Sequence, residues 1–326
     1  MKAVGLLSGG LDSILAVKLI QEQGVEVVGL NFTSTFYTKV QKSKTHASKY
    51  AKEFKIPLKV IDAGYDYLKI LRKPKHGYGK AMNPCIDCKI FMLKKAKRYA
   101  KRIGAKFIFT GEVLGERPMS QHRGALNIIE REAGLKGKLL RPLSAKLLPE
   151  TEAEKKSWVD RNKLLAIQGR SRKPQMALAE KYKIKDYPWP AGGCLLTSKE
   201  FANKLRDLFK HKKRVRLKDI ELLKLGRHFR QGKNKLIVGR NEEENNQIIK
   251  LRPRTELIFE VKDHMGPTTL LRGKPSKKAI ELAASLTATY SDAKQDKVLV
   301  VYGRKKLSKE IVVKQMSREE AEKIKK

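Results

Sequence analysis

An apolar run from Lys2 to Leu7 ends directly in Ser8-Gly9-Gly10-Leu11-Asp12-Ser13, after which Ile14, Leu15, Val17 and Leu19 recur at helical spacing. A buried strand, a glycine turn and a helix in that order constrain the fold more than anything else in the chain. Backbone N–H groups of a glycine-rich turn at a helix N-terminus bind anions through oriented donors and the helix dipole. Gly9 and Gly10 let the backbone approach a phosphate, and Ser8 and Ser13 add hydroxyls. No lysine follows the glycines, so this is not a Walker A turn. Only two adjacent glycines occur, which excludes the dinucleotide fingerprint.

The alternation continues downstream. Val25–Phe32, Ile56–Asp62 and Ala105–Glu112 read as strands, Thr45–Phe54 as a helix and residues 88–103 as a basic helix. Residues 64–84, rich in Gly, Lys and Tyr, read as irregular. This order predicts an α/β fold with a parallel sheet, helices on both faces and a ligand at the carboxyl ends of the strands. Those ends are the glycine turn, Asn31–Phe32 and Thr110-Gly111-Glu112. After Trp189 a Pro/Gly connector closes on Thr197-Ser-Lys-Glu200, which fits a capping box. An apolar helix face follows (Phe201, Leu205, Leu208, Phe209), then short strands, a helix over Lys277–Tyr290 and two last strands. The expectation is two domains, residues 1–198 and a small α+β domain over 199–326.

Charge narrows the partner. The chain carries +39; residues 199–326 hold 34 Lys and Arg against 17 Asp and Glu, and residues 1–198 the remaining +22. Cations outnumber anions about two to one in both parts, which favours a polyphosphate partner that releases counterions on binding, a nucleic acid. No apolar run of about 18 residues is long enough to span a membrane. The first ten residues lack the flanks of a signal peptide. A cytoplasmic protein with no membrane partner is expected.

The chain has three cysteines, Cys85 and Cys88 in "NPCIDCK" and Cys194 in "AGGCLLT". An odd number argues for metal binding or catalysis rather than a disulfide framework. Cys88 at a helix start would have a lowered thiol pKa. Structural zinc usually takes four protein ligands. Three thiolates could instead hold a [4Fe–4S] cluster with one iron open, or one thiol could act as nucleophile while another carries a persulfide.

Ser8–Ser13 resembles the SGGxDS pyrophosphate loop of the PP-loop ATP pyrophosphatases, which have a HUP-like fold. The resemblance implies that the loop holds the β- and γ-phosphates of ATP while a substrate attacks the α-phosphate. It implies that Asp12 acts through Mg2+ or by orienting the loop. It places adenosine near Asn31, Phe32, Thr110 and Gly111. Together with the two cysteine stretches, residues 1–198 resemble the tRNA thiouridine synthetases, and Thr110–Gln121 resembles a block of one branch. That implies an ATP-dependent tRNA sulfurtransferase. A uridine carbonyl is adenylated, sulfur comes from sulfide or a persulfide carrier, and AMP and pyrophosphate leave. Cys85, Cys88, Cys194 and Asp12 would be catalytic, with the three thiols as cluster ligands or, with no cluster, as a persulfide relay. Arg117, Arg123 and the Gly169–Gln175 stretch are further candidates for phosphate contacts, and His122 reads as structural.

Residues 215–315 resemble the RNA-binding module of the NFACT ribosome-quality-control factors, through Lys235–Asn245, Gly266–Gly273 and Ser276–Lys294. His264 is displaced from that module's pattern. Arg240, Arg252, Arg254 and Arg272, near turns, are the expected backbone-gripping cations. Two rival functions are a PP-loop enzyme acting on a small molecule and a non-catalytic RNA- or ribosome-binding protein. The first has no evident use for +39, and the second none for an intact loop and three placed thiols.

Overall fold

A computed structural model describes residues 1–37, 46–188 and 193–325. Thr45 and the connector residues 189–192 lie outside that set. The chain divides into two compact units, Met1–Thr197 and Ser198–Lys326.

The first unit runs β1 (Lys2–Leu6), α1 (Leu11–Gln21), β2 (Glu26–Thr33), α2 (His46–Glu53), β3 (Leu58–Asp62), α3 (Gly64–Arg72), α4 (Cys85–Arg102), β4 (Phe107–Thr110), α5 (Arg123–Ala133), β5 (Leu139–Leu140), α6 (Glu152–Lys155) and α7 (Lys173–Lys181). Its five strands are all parallel, in the order β3-β2-β1-β4-β5. Side chains alternate across the sheet. Ala3, Phe107 and Phe109 pack on the face with α1 and α2, whereas Val4 and Ile108 pack on the face with α4 and α5. Gly5 must be glycine, because a Cβ there would lie 2.4 Å from the Phe109 ring. The order reverses at β1, between β2 and β4, and the glycine turn leaves β1 at that switch point, where open α/β sheets bind ligands.

Two readings are corrected. Residues 64–84 are not irregular throughout: α3 buries Tyr67, Leu68 and Leu71 at helical spacing. The basic helix starts at Cys85, three residues earlier than its apolar pattern suggests.

The second unit runs α8 (Lys199–His211), α9 (Leu217–Leu223), β6 (Arg227–Gln231), β7 (Asn234–Val238), α10 (Glu242–Leu251), β8 (Leu257–Val261), β9 (Thr269–Arg272), α11 (Lys277–Thr289), β10 (Lys297–Gly303), β11 (Lys309–Lys314) and α12 (Arg318–Lys323). It is α+β, with an antiparallel sheet in the order β11-β10-β8-β9-β7-β6. Alanines 279, 283, 284 and 288 let α11 lie close on one face, against Phe229, Leu236, Phe259 and Val300. Ile237, Ile258 and Leu270 pack on the other face with Leu222 of α9 and Ile248 of α10. Ser198, not Thr197, caps α8, accepting from the Phe201 N–H at 3.3 Å. The expected Thr197–Glu200 capping box is therefore not formed: the third helical residue is Phe201, which has no carboxylate to return the bond. Asp207 of α8 binds Arg230 and Lys235 at 2.7 Å each, pinning α8 to β6 and β7. No helix among the described residues is long and apolar enough to cross a membrane.

Candidate active site

The glycine turn is held by its own serines. Ser13 Oγ donates to the Gly10 carbonyl at 2.7 Å and accepts the Ser8 N–H at 3.2 Å, and the Gly10 N–H donates to Ser8 Oγ at 3.3 Å. The Ser13 proton thus shapes the loop. Gly9 has φ +84°, and a Cβ there would lie 2.6 Å from the Ala47 nitrogen, so only glycine fits. Gly111 is a second close approach: its Cβ would sit 2.4 Å from the Asp12 carbonyl carbon and 2.5 Å from the Ser13 nitrogen. The end of β4 therefore lies directly on the first turn of α1. Asn31 is buried and donates to the Leu7 carbonyl at 2.8 Å, joining the ends of β2 and β1. Phe32, one residue on, turns toward the thiols instead.

Charged groups gather around the loop. Burial pushes the Asp12 carboxyl up, against the pull of the Arg172 and Arg117 guanidiniums. Burial and the Asp12 charge likewise push Glu116 up. Arg172 caps α7, and fully buried Gln175 sits one turn in. Their segment is delivered by Ser144, whose Oγ donates to the Ile167 carbonyl at 2.6 Å, and by the Gly169 N–H, which bonds the Leu114 carbonyl at 2.7 Å. Asp12 Oδ1, Arg172 Nε and both amide atoms of Gln175 are buried with no hydrogen bond of ordinary geometry, although the Gln175 side chain lies close enough to Asp12 to pull its carboxyl down; Gln121 Oε1 is also buried without a partner. Buried polar atoms are normally paired, so this cluster is set up for a polar ligand. Of the expected phosphate-binding arginines, Arg117 and Arg172 lie near enough to Asp12 to pull its carboxyl down. Arg123 instead opens α5, and His122 caps that helix through Nδ1, 3.2 Å from the Ala125 N–H.

The three thiols meet on the other side of the β4 end. Cys194 bridges Tyr37, and the Leu195 N–H donates to the Phe36 carbonyl at 2.8 Å, which folds the late cysteine segment onto the end of β2. Cys88 and Cys194 line one small cavity walled by Phe32, Phe36, Tyr67, Phe91 and Met92. Cys85 lies close enough to feel both thiols, and Asn83 Nδ2 donates to its sulfur at 3.3 Å. All three are free. The expectation of a lowered pKa at the helix start is corrected. Burial pushes the Cys88 thiol up despite the Tyr67 hydroxyl and Lys89, and it pushes Cys194 up to about 12. Two soft donors in an apolar cavity with a third, Cys85, beside them are the donor set of a thiolate-bound cluster. No three His, Cys, Asp or Glu side chains among the described residues are arranged around a single metal ion.

Glu112 joins the two halves of the site. It is buried, accepts from Thr110 Oγ1 at 3.2 Å and pairs with Arg141 Nε at 3.1 Å and Lys89 Nζ at 3.2 Å. Arg141 also binds Glu130. Burial opposes the Glu112 charge, but Lys89 and Arg141 outweigh it and hold the carboxyl at about 2. Lys89 follows Cys88 in α4, so the thiol helix and the loop are fastened through one carboxylate. The sequence marked Glu112 only as a strand end and gave no signal for its pairing with Lys89.

Residues 1–146 match the family model described as thiamine biosynthesis protein (ThiI), and residues 226–324 match the NFACT protein RNA binding domain. A probable tRNA sulfurtransferase of Thermococcus kodakarensis is 38% identical over 117 residues, covering 35% of this chain and 30% of the relative. A tRNA-specific 2-thiouridylase MnmA of Syntrophomonas wolfei is 32% identical over 126 residues, covering 34% and 33%. The chain thus spans about a third of the length of these relatives. A solved 4-thiouridine synthetase–RNA complex with bound ATP aligns over 56% of this chain and 49% of that one, at 24% identity and a TM-score of 0.34, a distant likeness that fixes no residue.

Proposed function

We propose that the chain is an ATP-dependent tRNA sulfurtransferase that adenylates a uridine carbonyl and replaces its oxygen with sulfur, acting in the cytoplasm. One observation carries the reading: an SGGLDS loop ringed by unpartnered polar atoms lies in one unit with three converging thiols, and Glu112 and Lys89 join the two.

A uridine carbonyl oxygen is a poor leaving group. Attack of that oxygen on the α-phosphate of ATP forms a C–O–P bond and expels pyrophosphate. The backbone N–H of Gly9 and the Ser8 hydroxyl would face the β- and γ-phosphates, with the Gly10 N–H holding Ser8 Oγ in place, while Arg172 and Arg117 would offset charge as it builds on the α-phosphate. Gln175 and Gln121 supply the remaining donors and acceptors to the bound nucleotide. Mg2+ would screen the pyrophosphate, with Asp12 as its protein contact. Thr110 and Gly111 form the wall against which the nucleotide packs, and Asn31 keeps the ends of β1 and β2 in register.

Sulfur then adds to the activated carbon, and AMP leaves with the former carbonyl oxygen. Cys85, Cys88 and Cys194 would hold a [4Fe–4S] cluster, which supplies an open iron where sulfide can bind. The Tyr67 hydroxyl is placed to donate to the Cys88 sulfur and the Asn83 amide donates to the Cys85 sulfur, and the Phe and Met walls exclude water. A persulfide relay among the same thiols is the second reading. The adjacency of Cys88 and Cys194 in one cavity supports it, with a persulfide carrier as donor.

The test uses ATP labelled at the α- or γ-phosphate and an unmodified tRNA transcript. Labelled AMP and pyrophosphate that form only with the transcript support the reading. Release of inorganic phosphate and ADP would overturn it. Iron and sulfide content of anaerobically purified protein separates the cluster from the relay.

A further inference from the structure

The second unit distributes its charge unevenly along its strands. Neighbouring strands run antiparallel, so the β6–β7 turn, the start of β8, the end of β9 and the β10–β11 turn fall at one end of the sheet. Gly303 pairs with Ile258, Leu257 with Leu271, and Arg272 with Lys235. The connecting segments at that end, residues 232–233, 252–256, 272–278 and 304–308, hold ten Lys and Arg and one acid. Those at the opposite end, residues 224–226, 239–242, 262–268, 290–296 and 315–318, hold five and four.

The one acid does not offset the cations. Glu256 binds Arg272 Nε at 2.8 Å, and Asp219 binds the same guanidinium at 2.7 Å from the other side, so Arg272 is largely buried and internally committed. Arg240 is likewise held by Glu244, and Arg252 Nη1 donates to the Arg304 carbonyl at 2.6 Å. Three of the four arginines expected to grip a backbone therefore have structural partners. Arg252 ties the β8 approach to the β10–β11 turn and so fixes the patch. The outward cations are others: Arg254, Lys274, Arg304, Lys305 and Lys306 are exposed, and none forms an ion pair among the described residues.

Lys277 and Lys278 occupy the first turn of α11, which contains no acid. Cations at the positive end of a helix dipole are unfavourable, and a bound anion would relieve that repulsion. The segments contain no aromatic side chain, so the surface suits phosphates rather than stacked bases. We infer that this end of the β6–β11 sheet is where the second unit takes the phosphodiester backbone of RNA. The inference rests on the tRNA reading and assigns it a face.

The test compares the full chain with Arg304→Ala/Lys305→Ala/Lys306→Ala, with Arg254→Ala/Lys274→Ala and, at the opposite end, with Lys294→Ala/Lys297→Ala/Arg318→Ala. Affinity for an unmodified tRNA transcript is measured across a salt series, and unchanged melting temperatures show that the exposed substitutions leave the fold intact. Each lost phosphate contact lowers the slope of log affinity against log salt by about 0.7 to 0.9. The 304–306 triple should therefore lose about two units of slope and, by the same relation, about 100-fold in affinity near 0.1 M salt. The 254/274 pair should lose about one and a half units, and the opposite-end triple should stay within about twofold of wild type. Equal losses at the two ends, or an unchanged slope in the 304–306 triple, would overturn this face and leave tRNA binding standing. No tRNA binding by the wild-type chain, or binding only to phosphatidylserine vesicles, would overturn both.

Discussion

Lys89 Nζ lies 3.2 Å from Glu112 Oε1, and that contact holds the thiol-bearing start of α4 to the end of β4, beside the glycine loop. Each partner has other work. Glu112 also neutralises Arg141 in a buried position, and Lys89 continues the chain from Cys88. In the proposed reaction the nucleotide and the thiols must lie at a fixed separation, and this ion pair would set it.

Glu112→Gln leaves Arg141 and Lys89 facing a neutral group. Removing one partner of a buried pair costs about 3–5 kcal/mol, so thermal unfolding should show a loss of that order, together with lost thiolation. Lys89→Met combined with Glu112→Gln should lose less stability than the two single changes added together, which a double-mutant cycle measures.

Gly111→Ala would force a methyl group into the Asp12 and Ser13 backbone. The loop must shift, so ATP affinity measured by calorimetry should fall by more than about tenfold, with a stability loss of about 1–3 kcal/mol. Gly24→Ala, at a position with open space around it, should leave ATP affinity unchanged.

Arg172→Ala should lower the rate of AMP formation by about 100-fold, the usual loss when one charge-stabilising donor is removed. Its effect on the KM for ATP should be smaller. Equal losses in rate constant and KM would instead make Arg172 a binding residue for the ground state.

Acid sensitivity of the second unit should trace to Asp207. Burial opposes its charge, but Arg230 and Lys235 hold the carboxyl at about 2, below the ordinary value of about 3.9. A depressed carboxyl stabilises the fold fully above its unfolded pKa and loses that contribution as pH falls from about 4 toward 2. The melting temperature of wild type should therefore drop across this window. Asp207→Asn should be less stable at neutral pH and should show a shallower drop.

What the sequence revealed was local, and what it hid was tertiary. The β1–loop–α1 unit is legible because apolar run, glycines and helical spacing sit within about 20 residues and agree with one another. The three thiols are legible as a set from their odd number. α3 is not, because Gly64 before it and the Pro/Gly-rich stretch after it mask the spacing of Tyr67, Leu68 and Leu71. The direction of the Cys88 shift depends on Tyr67 and Phe91 closing over it, which no spacing reports. Glu112, Arg141 and Lys89 are distant in sequence and meet only when β4 and α4 pack. In the second unit, the four arginines near turns looked equivalent, and only the fold distinguishes Arg254 from the internally bound Arg240, Arg252 and Arg272.

The central claim is tested by the nucleosides of the product. Anaerobically purified protein is incubated with ATP, Mg2+, sulfide and an unmodified tRNA transcript, which is then digested and analysed by mass spectrometry, with 2-thio- and 4-thiouridine separated by retention time. The account predicts a thiouridine that requires ATP, forms in step with AMP, and is lost in Cys85→Ala, Cys88→Ala and Cys194→Ala while ATP binding persists. AMP and pyrophosphate without any thionucleoside, or full thiolation by any one of the three cysteine variants, would contradict it.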